Sequence, residues 1–167
     1  VGSEMCIRDS NKTGNNNIGI GMSASGSGST SNPVFGALTS GSNNIAIGHR
    51  TGRCYSGNNN IFMGCGAAHG SSTVGNNSGG YNLVFGHLAA YCLTSGNNNT
   101  MIGQCAGYKI TTGSDNIFIG QCAGYTNATH SGVIAIGKLA GKGMDYAQDN
   151  TILGTCGGYN LNNGTCN

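Results

Sequence analysis

The sequence predicts an all-β fold, a parallel β-roll or β-helix solenoid of about nine short rungs (modal period 17). Three observations predict it. The stretch Thr111–Tyr125, reading T-T-G-S-D-N-I-F-I-G-Q-C-A-G-Y, recurs in variant form on either side of itself. Each copy closes an apolar triplet on a glycine, giving anchors at Gly21, Gly36, Gly48, Gly64, Gly86, Gly103, Gly120, Gly137 and Gly154, and the steps between them (15, 12, 16, 22, 17, 17, 17 and 17) settle on a fixed value. The residue before each anchor is large and apolar in all nine: Ile20, Phe35, Ile47, Met63, Phe85, Ile102, Ile119, Ile136 and Leu153. A repeat this short cannot bury its own apolar side chains, so each coil must stack on its neighbours.

Composition agrees with a stacked coil rather than an ordinary globule. The 167 residues include 32 Gly, one Pro and no Trp, and only 7% are charged. Such a makeup also occurs in disordered low-complexity segments, but disorder would not place an apolar side chain before every anchor. The longest apolar runs are about four residues, against about 20 for a membrane span, so no membrane insertion is expected. Residues 1–10 share nothing with the repeats and resemble a translated sequencing-adapter remnant, so they are set aside as a non-native leader. Residues 11–167 are read as one solenoid domain that starts and stops within repeats, as a piece of something longer would. Without the leader, six basic residues face three acidic ones, too few charges for the footprint of a nucleic-acid binder.

Each repeat position has an expected role. Residues one and three before the anchor share a strand face by period-2 alternation; the earlier ones are Ile18, Pro33, Ile45, Ile61, Leu83, Thr100, Ile117, Ile134 and Thr151. This face is expected to fill the coil. The central residues, Gly19, Val34, Ala46, Phe62, Val84, Met101, Phe118, Ala135 and Ile152, then face the other way, and none is polar. A strand apolar on both faces needs cover on both. Val34, Phe62, Val84, Met101, Phe118 and Ile152 are therefore expected to form an oligomer face, covered by another copy or a second layer.

Four residues before the anchor stand Asn17, Asn32, Asn44, Asn60, Asn82, Asn99, Asn116 and Asn150, with Val133 replacing the amide in one rung. Stacked about 4.8 Å apart, these amides are expected to form a hydrogen-bonded ladder. After the anchor, Leu38, Leu88, Cys105, Cys122, Leu139 and Cys156 read as the inward position of a second short strand, followed by small residues such as Ala89, Ala106, Ala123 and Ala140. Glycines at 107, 124, 141 and 158 then bend the backbone, and Gly41, Gly57, Gly96 and Gly113 mark the next turn. The step from Gly64 to Gly86 is longer than the modal one, and its surplus is assigned to a surface loop between Gly70 and Gly80.

Candidate chemistry is sparse. Of eight cysteines, Cys6 lies in the leader, and Cys105, Cys122 and Cys156 sit where other rungs carry Leu, which predicts buried, reduced thiols. Cys54 and Cys92 lie two rungs apart, roughly 10 Å and too far to pair, while Cys156 and Cys166 are left open as partners. There is no C-x-x-C pair, and His49, His69, His87 and His130 read as scattered over the repeat, so no metal is expected. After Ser10 the only acids are Asp115, Asp145 and Asp149, with no recurring nucleophile, base and orienter. No catalytic residue and no cofactor site is assigned, and the chain is read as a non-enzyme. Five N-x-S/T sequons, at Asn11, Asn76, Asn98, Asn127 and Asn163, follow from the Asn- and Thr-rich composition.

The segments S-N-N-I-A-I-G-H-R-T-G (Ser42–Gly52) and S-D-N-I-F-I-G-Q-C-A-G-Y (Ser114–Tyr125) resemble the N-S-V-A-I-G repeats of trimeric autotransporter adhesin heads. They are still more similar to the T-T-G-S-N-N-T-F-I-G-Y-Q-A-G-Y repeats of phage tail fibre proteins. The resemblance spans about residues 13–163, with a longer period here than in the adhesins. It implies a left-handed parallel β-roll, three of which pack about a common axis. It also implies an extracellular structural or adhesive role, as rigid shaft or receptor-contacting head of a virion tail fibre or cell-surface adhesin, with a host receptor or glycan as partner. The competing expectation is a monomeric solenoid with a flat ligand face, for instance ice-binding. That would require an outward Thr on every rung, which Thr94, Thr111, Thr112 and Thr129 do not supply.

Overall fold

The computed structural model describes residues 14–21, 41–53, 55–70, 77–126, 128–144 and 148–160. Eight three-residue strands form one parallel sheet in sequential order: β1 (Ile18–Ile20), β2 (Ile45–Ile47), β3 (Ile61–Met63), β4 (Leu83–Phe85), β5 (Thr100–Ile102), β6 (Ile117–Ile119), β7 (Ile134–Ile136) and β8 (Thr151–Leu153). Register is strict, so that Ala46, Phe62, Val84, Met101, Phe118 and Ala135 follow one another in a single column. The ladder runs both ways from each strand: Ile45 N–H donates to Asn60 O at 2.8 Å, and Gly64 N–H donates back to Ile47 O at 2.8 Å. Among the described residues there is no helix. The chain is a parallel β-solenoid whose rungs, from β4 to β8, repeat with a constant period of 17.

The strands are short because the chain turns sharply on both sides of each. Five residues before the anchor the backbone is left-handed, as at Asn43 (φ 58°), Asn59 (φ 59°), Asn98 (φ 55°) and Asp115 (φ 59°), a conformation that Asn and Asp tolerate best among side-chain-bearing residues. The anchor itself has a φ of 130–145° at Gly48, Gly64, Gly86, Gly103, Gly120 and Gly137. A Cβ there would also strike the next rung: on Gly103 it would lie 2.5 Å from Gly120 O. Torsion and stacking thus both demand glycine.

The expected inside and outside of the strand are exchanged. Phe62, Val84, Met101 and Phe118 are fully buried within the single chain, with Ala46 and Ala135 beside them, and Ile152 is 7% exposed. These side chains are the core of the coil, not an oligomer face; Val34 lies outside the described residues. The reason is parity. The ladder asparagine and the central apolar residue are two positions apart, so they share a face, and Asn44, Asn60, Asn82, Asn99, Asn116 and Asn150 are all buried. The residues flanking the centre therefore point outward.

The rest of the core is thin. Ala67, Ala89, Ala106, Ala123 and Ala140 line the opposite wall, and Tyr55, Leu93, Ile110 and Met144 fill its far corner, all fully buried. Volumes compensate across the coil. Where the centre is Phe118, the facing residue is Gly124, whose added Cβ would come within 2.6 Å of the ring. Where the centre is only Ala135, Met144 reaches in instead, its sulfur 2.7 Å from a Cβ placed on Gly141. Tyr55 packs edge-on against Phe62, with centroids 4.9 Å apart and an interplanar angle of 78°.

Two further expectations are corrected. Among the described residues the sheet has eight strands, with β1 paired directly to β2; the triplet Pro33–Phe35 lies outside the described residues. The segment after the anchor is a turn rather than a strand: Leu88 (φ 55°), Cys105 (φ 56°), Cys122 (φ 55°), Leu139 (φ 60°) and Cys156 (φ 57°) are left-handed, and after the first four it is the following alanine that is buried. The last part of the supposed insertion belongs to a rung, since Ser56 N–H donates to Asn77 O at 2.7 Å and Gly79 N–H donates to Thr94 O at 3.1 Å. Residues 71–76 lie outside the described residues.

Candidate interaction faces

The asparagine ladder holds the rungs together without offering a binding site. Asn99 is representative: its Nδ2 donates to Asn82 Oδ1 (3.0 Å) and to Gly113 O (2.9 Å), while its Oδ1 accepts from Asn116 N (3.0 Å) and Asn116 Nδ2 (3.0 Å). Both donors and both acceptor sites of the amide are used. The same set repeats at Asn44, Asn60 and Asn82. Asn17 begins the described column, with Nδ2 donating to Gly41 O at 2.8 Å. At Val133 the backbone amide still donates to Asn116 Oδ1 at 3.0 Å, and Asn150 resumes as a buried residue. Asn32 lies outside the described residues.

Two outer polar columns complete the turn, and neither was recognised in the sequence. Asn16, Asn43 and Asn59 chain their side-chain amides at 3.2 Å per step, and Asn98 Nδ2 donates to the Asp115 carboxylate at 3.1 Å. One residue earlier, Ser or Asn side chains accept the preceding rung's backbone amide: Ser42 N–H donates to Asn58 Oδ1 at 2.8 Å, and Asn97 N–H to Ser114 Oγ at 3.0 Å. The run S-N-N or S-D-N is thus three ladders side by side. Of the sequon asparagines, Asn98 is exposed and engaged with Asp115; Asn11, Asn76, Asn127 and Asn163 lie outside the described residues.

The outward strand face is apolar along the whole sheet. Ile18 (48%), Phe85 (49%) and Leu153 (68%) are well exposed, and Ile61, Leu83 and Ile136 also exceed a third. Ile20, Ile45, Ile47, Met63, Ile102, Ile117, Ile119 and Ile134 are half-buried between them. Only Thr100 and Thr151 interrupt these two columns with a hydroxyl. Seven spacings of about 4.8 Å make the strip roughly 34 Å long and about 10 Å wide, a contiguous apolar patch of several hundred Å², the size at which an exposed patch marks an interaction site. Of the threonines weighed as an outward array, two turn to the backbone, Thr94 Oγ1 donating to Thr111 O (3.0 Å) and Thr111 Oγ1 to Ala128 O (2.8 Å), while Thr112 and Thr129 are exposed.

Five residues after the anchor, rings stack. His69, Tyr91, Tyr108 and Tyr125 lie face to face with centroids 4.7, 5.2 and 5.0 Å apart and planes within 9° of parallel. Cations flank the column: Arg53 Nη1 lies 3.4 Å from His69 Nε2, and Lys142 Nζ lies 3.3 Å from Tyr159 Oη. Burial lowers the His69 pKa, and Arg53 and Arg50 add to this against the opposing contact with Gly70 O. The neutral tautomer fits the geometry, with Nδ1–H donating to Gly70 O (3.3 Å) and Nε2 accepting from Arg53. The tyrosines are legible in the recurring x-C-A-G-Y.

The cysteines are not core residues. Cys105 and Cys122 are half-buried, Cys65 and Cys156 are exposed, and these four and Cys92 are unbonded. Burial raises the Cys92 and Cys105 thiols, and for Cys105 the neighbouring Cys122 raises it further. Cys54 and Cys166 lie outside the described residues. The histidines are less scattered than they read. His49 and His87 each stand one residue after an anchor and flank Cys65 at the same position, with Cys65 Sγ 3.8 Å from His49 Nδ1. Among the described residues no group of three or more His, Cys, Asp or Glu side chains is placed to hold a metal ion.

Compared with known proteins, the chain matches no family model, no curated protein and no solved structure.

Proposed function

We propose that the chain is a rigid shaft or receptor-contacting segment of an extracellular fibre, on a virion or a cell surface, in which three copies pack around a common axis through their outward strand faces. One observation carries this reading: the strip from Ile18 to Leu153 is in register and apolar on nearly every rung. Burying it would remove several hundred Å² per copy from water, at about 25 cal/mol per Å², whereas in a lone subunit it stays wet. A coil whose rungs are tied by fully paired amides is also stiff along its axis, which suits a spacer. The resemblance of Ser42–Gly52 and Ser114–Tyr125 to adhesin-head and tail-fibre repeats points the same way, and a glycan or host-surface receptor is the partner it suggests.

Light scattering of the soluble chain tests this. A mass of three chains is expected, and Ile119→Glu with Phe85→Glu should reduce it to one while the circular dichroism spectrum is kept. A well-behaved wild-type monomer would refute the assembly. A monomer that also produced thermal hysteresis would favour the flat ligand-binding face instead.

A further inference from the structure

The repeat aligns in one column three metal-ligating residues that stand far apart in the sequence, at positions 49, 65 and 87. His49, Cys65 and His87 occupy the same place on three consecutive rungs, the residue after Gly48, Gly64 and Gly86. Backbone bonds fix that register: Gly66 N–H donates to His49 O and Leu88 N–H to Cys65 O, each at 2.9 Å. Adjacent rungs stand about 4.8 Å apart, so Cys65 stands one rung from each histidine. Cys65 and His87 are exposed and His49 is half-buried, leaving the column open to solvent.

We propose that His49, Cys65 and His87 form a surface site for a borderline divalent transition metal of the Zn²⁺ class, with water as the fourth ligand. Two imidazoles and a thiolate are the donor set such an ion selects. Tetrahedral Zn²⁺ with a sulfur at about 2.3 Å and a nitrogen at about 2.0–2.1 Å separates those two atoms by about 3.5 Å. Cys65 Sγ and His49 Nδ1 are already 3.8 Å apart. His87 completes the set by turning its exposed side chain toward the thiol, and the thiol proton passes to solvent as the metal binds. The ion would clip β2, β3 and β4 on the outside of the coil, across the lengthened step from Gly64 to Gly86. This holds whether the coil is a monomer or a trimer.

Cobalt(II) added to the metal-stripped full chain tests the site, because a thiolate ligand gives a sulfur-to-cobalt charge-transfer band that imidazoles alone do not. One equivalent should produce the band, and Zn²⁺ should displace it. Cys65→Ser should abolish it. His49→Gln and His87→Gln should each weaken binding at least tenfold; glutamine already stands at this position at Gln104 and Gln121, so both variants should fold, which circular dichroism checks. Zn²⁺ should raise the melting temperature of the wild type and not of Cys65→Ser. No band in the wild type, a band surviving in Cys65→Ser, or unchanged affinity in His87→Gln would each overturn the three-ligand site.

Discussion

Asn99→Ala isolates the contribution of one ladder amide. The substitution removes the acceptor of Asn116 N, one of the two acceptors of Asn116 Nδ2, and the donor to Gly113 O. Asn82 Oδ1 keeps its other partner, the Asn99 backbone amide at 3.0 Å. Three buried polar groups thus lose a partner at about 1–3 kcal/mol each, so the loss should reach about 3 kcal/mol or more. Asn98→Gly is the matched control one residue away: it deletes an exposed amide whose contact is with Asp115, keeps a left-handed backbone comfortable, and should stay within about 0.5 kcal/mol. Urea unfolding followed by circular dichroism gives both numbers. Hydrogen exchange at the Asn116 amide shows whether the loss is local, as expected where stability is summed over neighbouring rungs. A loss under about 1 kcal/mol for Asn99→Ala would mean that water replaces the amide, and the ladder would not be what holds the rungs.

The remaining predictions address the core, the anchor and the ring column. Phe118→Ala should cost about 3–5 kcal/mol in urea unfolding, as for a filled core position; a cost near zero would return Phe118 to the surface. Gly103→Ala should be destabilising by more than about 1–3 kcal/mol, since a φ of 135° is closed to L residues and the methyl meets Gly120 O; a soluble variant with wild-type melting temperature would contradict this. His69 has a folded-state pKa below its ordinary 6.5, so its contribution is complete above about 6.5 and falls away as the pH drops toward the lowered value. The melting temperature should therefore decline between about pH 7.5 and 5.5 more in the wild type than in His69→Gln, and equal declines would remove His69 from the account.

The solenoid was legible because its signals repeat: nine anchors and a common period are hard to produce otherwise, and the asparagine four residues before the anchor announced its own ladder. Choosing the inner face was harder, because both faces of the triplet are apolar and hydropathy cannot rank Phe118 against Ile117 and Ile119. The deciding fact was polar. An amide such as Asn116 that pairs with its neighbours above and below is stable only away from competing water, and parity carries Phe118 inward with it. The cysteine position misled for a different reason. Leu88 and Cys105 look like core by type, but their left-handed torsions belong to a turn, and torsion is not written in residue type unless glycine or asparagine occupies the site. The metal-ligand column was visible only after His49, Cys65 and His87 were counted from their anchors rather than from one another.

The amide column also has a direction. From Asn44 to Asn99 every member gives its backbone and one side-chain hydrogen to the rung before it and receives the same from the rung after, and Asn116 receives the backbone hydrogen of Val133 alone. At the Oδ1 atoms the two faces of a cut are therefore unlike, one presenting the lone pairs and the other the amide hydrogens they accept, while the backbone ladder bonds beside them run both ways. Two such coils could be spliced tail to head, the seam healing with the bonds already in use. Joined nose to nose, these amides would meet hydrogen with hydrogen or lone pair with lone pair, so a plug matched to the column at one terminus would be mismatched to it at the other.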